Sequence, residues 1–166
     1  MKKILFLAAL FITVAGIGQP RKSPHDTIRT KDVTISYGRP SMHGRAIFGE
    51  LVKYGKVWRL GADEATTISF ANDIQFGEVR IPAGTYTMFA LVNENEWTII
   101  FNAVLGQWGS FSYEKNKEKN VAQVTVPVHK SDAPVEQFTI RFAEDNFMII
   151  EWELMQLRVQ VKPAMQ

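Results

Sequence analysis

Apolar and polar side chains alternate in short segments along most of this chain. In residues 32–37 and again in residues 138–142, every second side chain is apolar. Successive side chains of a β-strand point to opposite faces, so this period predicts half-buried strands. Turn signals such as Pro82-Ala83-Gly84 recur between these segments, and no long amphipathic helix is evident. We therefore predict an all-β fold, an antiparallel β-sandwich of about nine strands with long irregular loops and at most one short helix, at Ala46–Tyr54.

Two further patterns refine this expectation. Thr85–Val92 and Trp97–Phe101 form the clearest predicted hairpin, joined by a short polar turn. Near the C-terminus, apolar side chains occupy even positions up to Leu154 and odd positions from Leu157 onward. Because strand side chains have a period of two, this switch predicts a bulge, bend or turn near Met155-Gln156.

The N-terminus has the pattern of a secretory signal peptide. Lys2 and Lys3 precede an apolar run over residues 4–17, and small residues follow at Gly16 and Gly18. The run is shorter than the ~18 residues of a membrane-spanning helix, so we favour a cleaved leader over an uncleaved anchor or a buried helix. We predict a signal peptide over residues 1–18, an extended lead-in over 19–30 and one β-sandwich domain over 31–166. The expected location is the periplasm or the exterior of the cell.

Charge and cysteine content limit the partners. Loss of Lys2 and Lys3 would reduce the 19 basic residues to 17, equal to the 17 acidic ones. A neutral mature chain gives no reason to expect nucleic acid as a partner, and it has no predicted transmembrane segment. The absence of cysteine rules out disulfides and lipoprotein attachment, so a hydrophobic core must supply the stability.

The region from Arg39 to Phe70 departs from the alternating pattern. It contains Arg39, Arg45 and Arg59 together with four glycines and adjacent acidic residues. Guanidinium groups and backbone amides in such a region can hold a carboxylate, a phosphate or a sugar acid. The alternative is that these arginines pair with nearby acids and only fix an irregular segment.

Aromatic residues offer a second kind of contact. Trp97 and Trp152 alternate with aliphatic residues and are predicted to lie in the core, whereas Trp108 lies between glycines in the long irregular segment Asn102–Asn120. We expect Trp108 either to line a site or to anchor its loop. The predicted ligand-binding residues are Arg39, His43, Arg45, Trp58, Arg59, Asp63, Glu64, Asn102 and Trp108.

Catalytic and metal motifs are weak. The histidines His25, His43 and His129 lack metal-ligand spacing, so no metal or cofactor is predicted. The Ser-x-x-Lys match at Ser112–Lys115 falls in a polar loop and is best explained by chance. Glu64 is a weak candidate for an acid or base, with no identifiable partner carboxylate.

A series of short motifs, most of them between Arg39 and Phe70, gives the chain a resemblance to a known family. They are Arg39-Pro40, Gly44–Gly49, Tyr54-Gly55, Trp58-Arg59, Gly61-Ala62 and Glu64-Ala65-Thr66, followed by Gln107-Trp108-Gly109. With them the chain resembles domain-of-unknown-function family 2911, a group of exported proteins common in Bacteroidetes-type bacteria. Asp63 departs from the family pattern, in which Asn is usual. The resemblance implies an exported β-rich domain and no particular reaction.

These observations favour an exported β-sandwich that binds a small polar, anionic or saccharide ligand through its arginine-rich loops. One alternative is a cell-envelope domain that docks on a protein partner through edge strands and the Asn102–Asn120 loop. The other is a hydrolase that uses Glu64. Whether the chain is an enzyme stays open at this point.

Overall fold

Ten antiparallel strands form one continuous sheet in the computed structural model, which describes residues 20–164. The strands are β1 (His25–Arg29), β2 (Val33–Gly38), β3 (Lys56–Trp58), β4 (Thr67–Phe70), β5 (Ile74–Phe76), β6 (Val79–Ile81), β7 (Gly84–Val92), β8 (Glu96–Asn102), β9 (Asn120–Phe142) and β10 (Phe147–Pro163). One α-helix, α1 (Tyr113–Asn116), continues into a 3-10 turn at Lys117–Lys119, and a second 3-10 turn at Glu144–Asn146 joins β9 to β10. The all-β antiparallel prediction is confirmed.

The order of strands across the sheet is β1-β2-β4-β7-β8-β9-β10-β5-β6, and β3 pairs with β7 beside β4. The first part of β9 pairs with β8 and the second part with β10, so this strand belongs to both halves of the sheet. The sheet also folds over, because the chain after β2 reaches the second part of β9. There the amide of Phe138 donates to the carbonyl of Pro40 at 2.9 Å, and the amide of Met42 donates to that of Glu136 at 2.9 Å.

One large hydrophobic core fills most of the fold, and a smaller cluster lies apart from it at Ala65, Phe89, Ile100 and Tyr113. Trp97 and Trp152 are buried in the large core, as predicted from their alternation. Phe48, Trp58 and Phe138 join them in an aromatic cluster whose neighbouring ring centroids are 5.0–6.4 Å apart. Aromatic pairs at such distances each contribute about 0.5–1.5 kcal/mol beyond the apolar area that they bury.

One local prediction is wrong in position. Ala46–Tyr54 forms turns and no helix, while the one α-helix among residues 20–164 lies in the charged segment predicted to be irregular. The irregularity predicted near Met155-Gln156 is confirmed, because the register of β10 on β9 shifts between Glu151 and Glu153 and again between Glu153 and Met155. Glu153, with φ of 52°, is the residue at which the strand turns, and Leu154 is consequently exposed.

The N-terminal part of the chain is more ordered than its prolines suggest. The predicted lead-in, residues 19–30, contains β1, which pairs with β2 from His25 opposite Gly38 to Arg29 opposite Thr34. The predicted signal peptide, residues 1–18, lies outside the described residues. Within the described range 20–164, no helix is long and apolar enough to cross a membrane.

Candidate functional site

A cavity of about 470 Å³ lies beside β3. Its walls come from the start of the described chain at Lys22 and Ser23, the turns on both sides of β3, and single residues from β10 and the loop before α1. Cavities of roughly 300–1,000 Å³ hold small molecules in proteins. The fold therefore brings segments far apart in sequence around a space of suitable size.

The cavity is strongly cationic. Five basic residues line it and one acidic residue, Asp63, accompanies them. A concave surface with one sign of charge concentrates ligands of the opposite sign. The five basic residues are Lys22, Arg45, Lys53, Lys56 and Arg59.

Arg59 is the most distinctive of the five. It follows β3 directly, and the next residue, Leu60, is fully buried with φ of 53°, which turns the chain sharply at this point. The Nε atom of Arg59 is buried and has no hydrogen-bond partner within residues 20–164. Burial lowers the pKa of this guanidinium, and the nearby carboxylate of Asp63 only partly opposes the effect. A buried donor without an acceptor is costly, so Arg59 would be stabilised by an incoming anion.

Asp63 holds the cavity wall together. Its Oδ2 atom accepts hydrogen bonds from the backbone amides of Lys22 and Ser23, both at 3.0 Å. Its carbonyl oxygen accepts one from the amide of Gly109, also at 3.0 Å. The residue adopts φ of 62°, a conformation that Asp tolerates better than most residues. Asp63 thus joins the N-terminal segment and the loop before α1 to the cavity.

Two other basic side chains are partly engaged. Arg45 donates from Nε to the carbonyl of Met42 at 2.8 Å and from Nη2 to that of Ser41 at 2.7 Å. Lys53 lies 3.7 Å from the carboxylate of Glu50, an exposed pair that contributes little. Arg45 is therefore held in a defined position at the cavity, while Lys53 has weaker contacts, including a hydrogen bond from its Nζ to the carbonyl of Gly49 at 3.3 Å.

Apolar side chains form the rest of the wall. Trp58 is half-buried and stacks on Trp152, with centroids 5.9 Å apart and ring planes 18° apart. Leu51, Val52 and Val57 also line the cavity. A ligand bound here would meet cationic groups on one side and an aromatic or aliphatic surface on the other.

Arg39 and His43 lie away from the cavity. Arg39 donates from Nε to the carbonyl of Phe138 at 3.2 Å and from Nη2 to the hydroxyl of Thr139 at 2.9 Å, and its Nη1 lies 3.4 Å from the carboxylate of Asp26. All three nitrogens are used, so Arg39 joins the two folded-over parts of the sheet. His43 lies exposed in a turn with φ of 48°.

Glu64 belongs to a separate, smaller cavity of about 180 Å³. Its carboxylate accepts from Nε of Arg21 at 2.8 Å and lies 2.9 Å from Nε2 of His25, whose Nδ1 lies 3.0 Å from the carbonyl of Ser23. Burial raises the pKa of Glu64, but the hydrogen bonds from Arg21 and His25 and the charge of Arg21 hold it below its ordinary value. The carboxylate is therefore kept ionised, which suits an ion pair better than a general acid.

Asn102 and Trp108 stabilise the loop before α1. The fully buried amide of Asn102 donates to the carbonyl of Asn116 and to Oδ1 of Asn120, both at 2.8 Å, and its oxygen accepts from the amide of Val104 at 3.0 Å. Trp108 is half-buried and forms an isolated β-bridge with Glu64. Both residues fix the loop instead of lining the basic cavity.

The nine predicted residues thus fall into groups. Arg45, Trp58, Arg59 and Asp63 come together at the cavity. The other five lie elsewhere: Arg39, His43, Glu64, Asn102 and Trp108. Sequence reasoning missed Lys22, Lys53 and Lys56, because lysine is common on any protein surface and these three carry no motif. Across residues 20–164, no group of three or more His, Cys, Asp or Glu side chains is placed to hold a metal ion.

Comparison with known proteins gives a family match. A family model described as "Protein of unknown function (DUF2911)" matches residues 19–161. No curated protein and no solved structure matches the chain. The matched range covers nearly all of the described residues, including every residue of the cavity wall.

Proposed function

The chain belongs to the DUF2911 family, whose description assigns no function, and from its own residues we propose that it is a binding domain for a small anionic molecule. The proposed site is the cationic cavity beside β3. The observation that carries this proposal is the buried Nε donor of Arg59, which has no partner within the described chain. An anion in the cavity would place its charge beside this partly desolvated guanidinium and stabilise its charged form.

The charge of the cavity favours an anion over a neutral saccharide. Five basic side chains surround the space against one carboxylate, and that carboxylate already accepts two backbone hydrogen bonds. Carboxylate and phosphate groups match the planar fork of a guanidinium, and Trp58 offers a surface for the remainder of the ligand. A sugar acid would contact both the cationic side chains and Trp58, whereas a neutral sugar would leave the positive charges of the cavity without a counter-charge.

Titration with simple anions tests the proposal. Inorganic phosphate, citrate and glucuronate are added to the protein at low salt, and binding is followed by amide chemical shifts and by thermal unfolding. We expect saturable binding that weakens with salt, and a loss of about tenfold or more in affinity for Arg59→Gln. Arg80→Gln is the control, since Arg80 is exposed and pairs with Asp73 at 2.9 Å, outside the cavity. Equal binding by wild type and Arg59→Gln would contradict the proposal.

The hydrolase alternative has less support. Glu64 lies outside the basic cavity, its pKa is lowered, and both nitrogens of the neighbouring His25 already have hydrogen-bond partners. A base or acid in that position lacks a free group to relay protons.

Docking on a cell-envelope partner stays a prediction, for which deletion of the tip of the Asn102–Asn120 loop is the test.

We also propose that the protein is exported, to the periplasm or out of the cell. The support is the charged and apolar pattern of residues 1–18. Fractionation of expressing cells, with mass spectrometry of the protein's first peptide, tests this directly. A mature chain that begins at Gln19 is expected, and an intact Met1 in the cytosolic fraction would refute it.

A further inference from the structure

We infer that the ligand of the basic cavity is an amphiphile, with an acidic head group held by Arg59 and an apolar chain that rests on Phe111 and Leu51 at the cavity mouth. This inference depends on the proposed anion-binding function and specifies its ligand class. It is carried by two exposed apolar side chains, Leu51 in the wall of the cationic cavity and Phe111 beside Arg59.

Phe111 is 82% exposed in the loop before α1. Its ring lies over Gly109, where an added Cβ would be 2.7 Å from Cε2 of the ring and 3.4 Å from Nη1 of Arg59. The phenyl ring and the guanidinium therefore flank the same glycine. Ser110, between Gly109 and Phe111, lines the cavity itself. The aromatic ring thus lies next to the charged group that the proposed function places on the anion.

Leu51 brings a second exposed apolar side chain to the cavity. It is 50% exposed and lines the cavity, while the neighbouring Val52 is buried in the core. A single exposed apolar side chain is ordinary on a protein surface. Here, however, Leu51 lines a cavity with five cationic residues and Phe111 lies beside one of them, Arg59, and an amphiphilic anion is the ligand class that satisfies both features.

The size of the cavity argues for a free amphiphile and against a membrane surface. A volume of about 470 Å³ admits a head group and the first part of a chain. Trp58 and Trp152 also line the cavity and add apolar surface to it. A head group that only touched a flat lipid surface would not enter this space beside Arg59.

A chain-length series tests the inference. Methyl, butyl and octyl phosphate are titrated as monomers into the intact protein, with octyl glucoside as the neutral control, and each Kd is measured by calorimetry. We expect affinity to rise about twofold for each methylene that becomes half covered, and octyl glucoside not to bind measurably. Phe111→Ser and Leu51→Ser are each expected to flatten this dependence on chain length, so that the ratio of octyl to methyl phosphate affinity falls towards one. Leu105→Ser is the matched control, because Leu105 is 51% exposed in the same loop, does not line the cavity and, in contrast to Phe111, is not among the atoms nearest Gly109 beside Arg59.

The outcomes distinguish failure of the amphiphile inference from failure of the proposed anion-binding function. If methyl and octyl phosphate bind equally, with both affinities dependent on Arg59, the amphiphile inference fails and the anion-binding function stands. If the chain-length dependence survives in both Phe111→Ser and Leu51→Ser, the apolar chain lies elsewhere and the inference also fails. If no phosphate binds at all, the proposed function itself is wrong. Co-sedimentation with phosphatidylglycerol vesicles, in the absence of binding to monomeric octyl phosphate, would show surface adhesion and overturn the inference.

Discussion

The Oδ2 atom of Asp63 lies 3.0 Å from the amide nitrogen of Ser23, 40 positions earlier in the chain. The same oxygen accepts from the amide of Lys22, so one carboxylate fixes the start of the described chain against the cavity. This contact adds to the pairing of β1 with β2 and to the ion pair between Arg21 and Glu64, which also hold the N-terminal segment. Asp63 is thus a structural residue that also lowers the positive charge of the proposed site.

Asp63→Asn is expected to strengthen anion binding. An amide oxygen can still accept the two backbone hydrogen bonds, while the change removes the one acidic group from a cavity with five basic ones. We expect phosphate affinity at low salt to increase about threefold to tenfold, since a nearby unit charge near a protein surface is worth about 1 kcal/mol or more. Calorimetric titration measures the change. Asp63→Ala, which also removes the acceptor, should instead lower stability, and weaker binding by Asp63→Asn would contradict this account.

Arg59→Met is expected to stabilise the ligand-free protein. The wild-type guanidinium is partly desolvated and its Nε has no acceptor, so an apolar side chain of similar length removes that cost. We expect the free energy of unfolding to rise by about 1 kcal/mol in urea denaturation. Arg141→Met provides the contrast, because Arg141 pairs with Glu151 at 2.8 Å, and its removal leaves a largely buried carboxylate without its cation. A loss of stability in Arg59→Met would indicate that Arg59 has a structural role.

Glu64→Gln is expected to lower the free energy of unfolding by an amount that depends on pH. The pKa of Glu64 is lower in the folded chain than its ordinary value of 4.5, so its carboxylate stabilises the fold above that value. This contribution is lost as pH falls through the lowered folded pKa. Because the side chain is 37% exposed, we expect a destabilisation below about 1 kcal/mol at neutral pH, vanishing in strong acid. Thermal unfolding of wild type and Glu64→Gln from neutral pH to strong acid measures this destabilisation. A destabilisation that grows in acid would contradict the lowered pKa of Glu64.

Gly38→Ala is expected to damage the fold and the cavity together. A Cβ at Gly38 would overlap the carbonyl oxygen of Ala62 and lie 2.9 Å from its carbonyl carbon, and these backbone atoms cannot rotate away. We expect a loss of about 3 kcal/mol in the free energy of unfolding. Gly44→Ala is the control, since nothing lies within 4 Å of its added Cβ and φ of 72° alone should cost about 1–2 kcal/mol. Similar losses of unfolding free energy in Gly38→Ala and Gly44→Ala would mean that the backbone near Ala62 shifts to make room for the added Cβ.

The strands were predictable where side chains alternate strictly. The hairpin of β7 and β8 lies within one residue of its predicted ends, because its turn and both apolar faces are marked in the sequence. β1 was not predicted, since Ile28 is its sole apolar residue and its stability comes from pairing with β2. The sequence does not predict α1, because four residues are too few to show a helical period.

The site was predictable only in part because closeness in sequence does not determine closeness in space. Arg39 and Arg59 lie 20 positions apart, but Arg39 is bound by carbonyl and hydroxyl groups of β9 about 100 positions away. Glu64, next to Asp63, is drawn into another cavity by Arg21 and His25. Neighbouring residues diverge here because the irregular chain turns between them, and no local pattern reveals which distant group each one will meet.

The cavity wall begins at Lys22 and is completed by Trp152, close to the end of the chain. A cut between these two residues would therefore divide the wall, and a split protein would regain the cavity only if both pieces reassociated. In a chain emerging from the ribosome, the cavity is incomplete until β10 is available. Binding of the proposed ligand would thus report that all of these segments have come together.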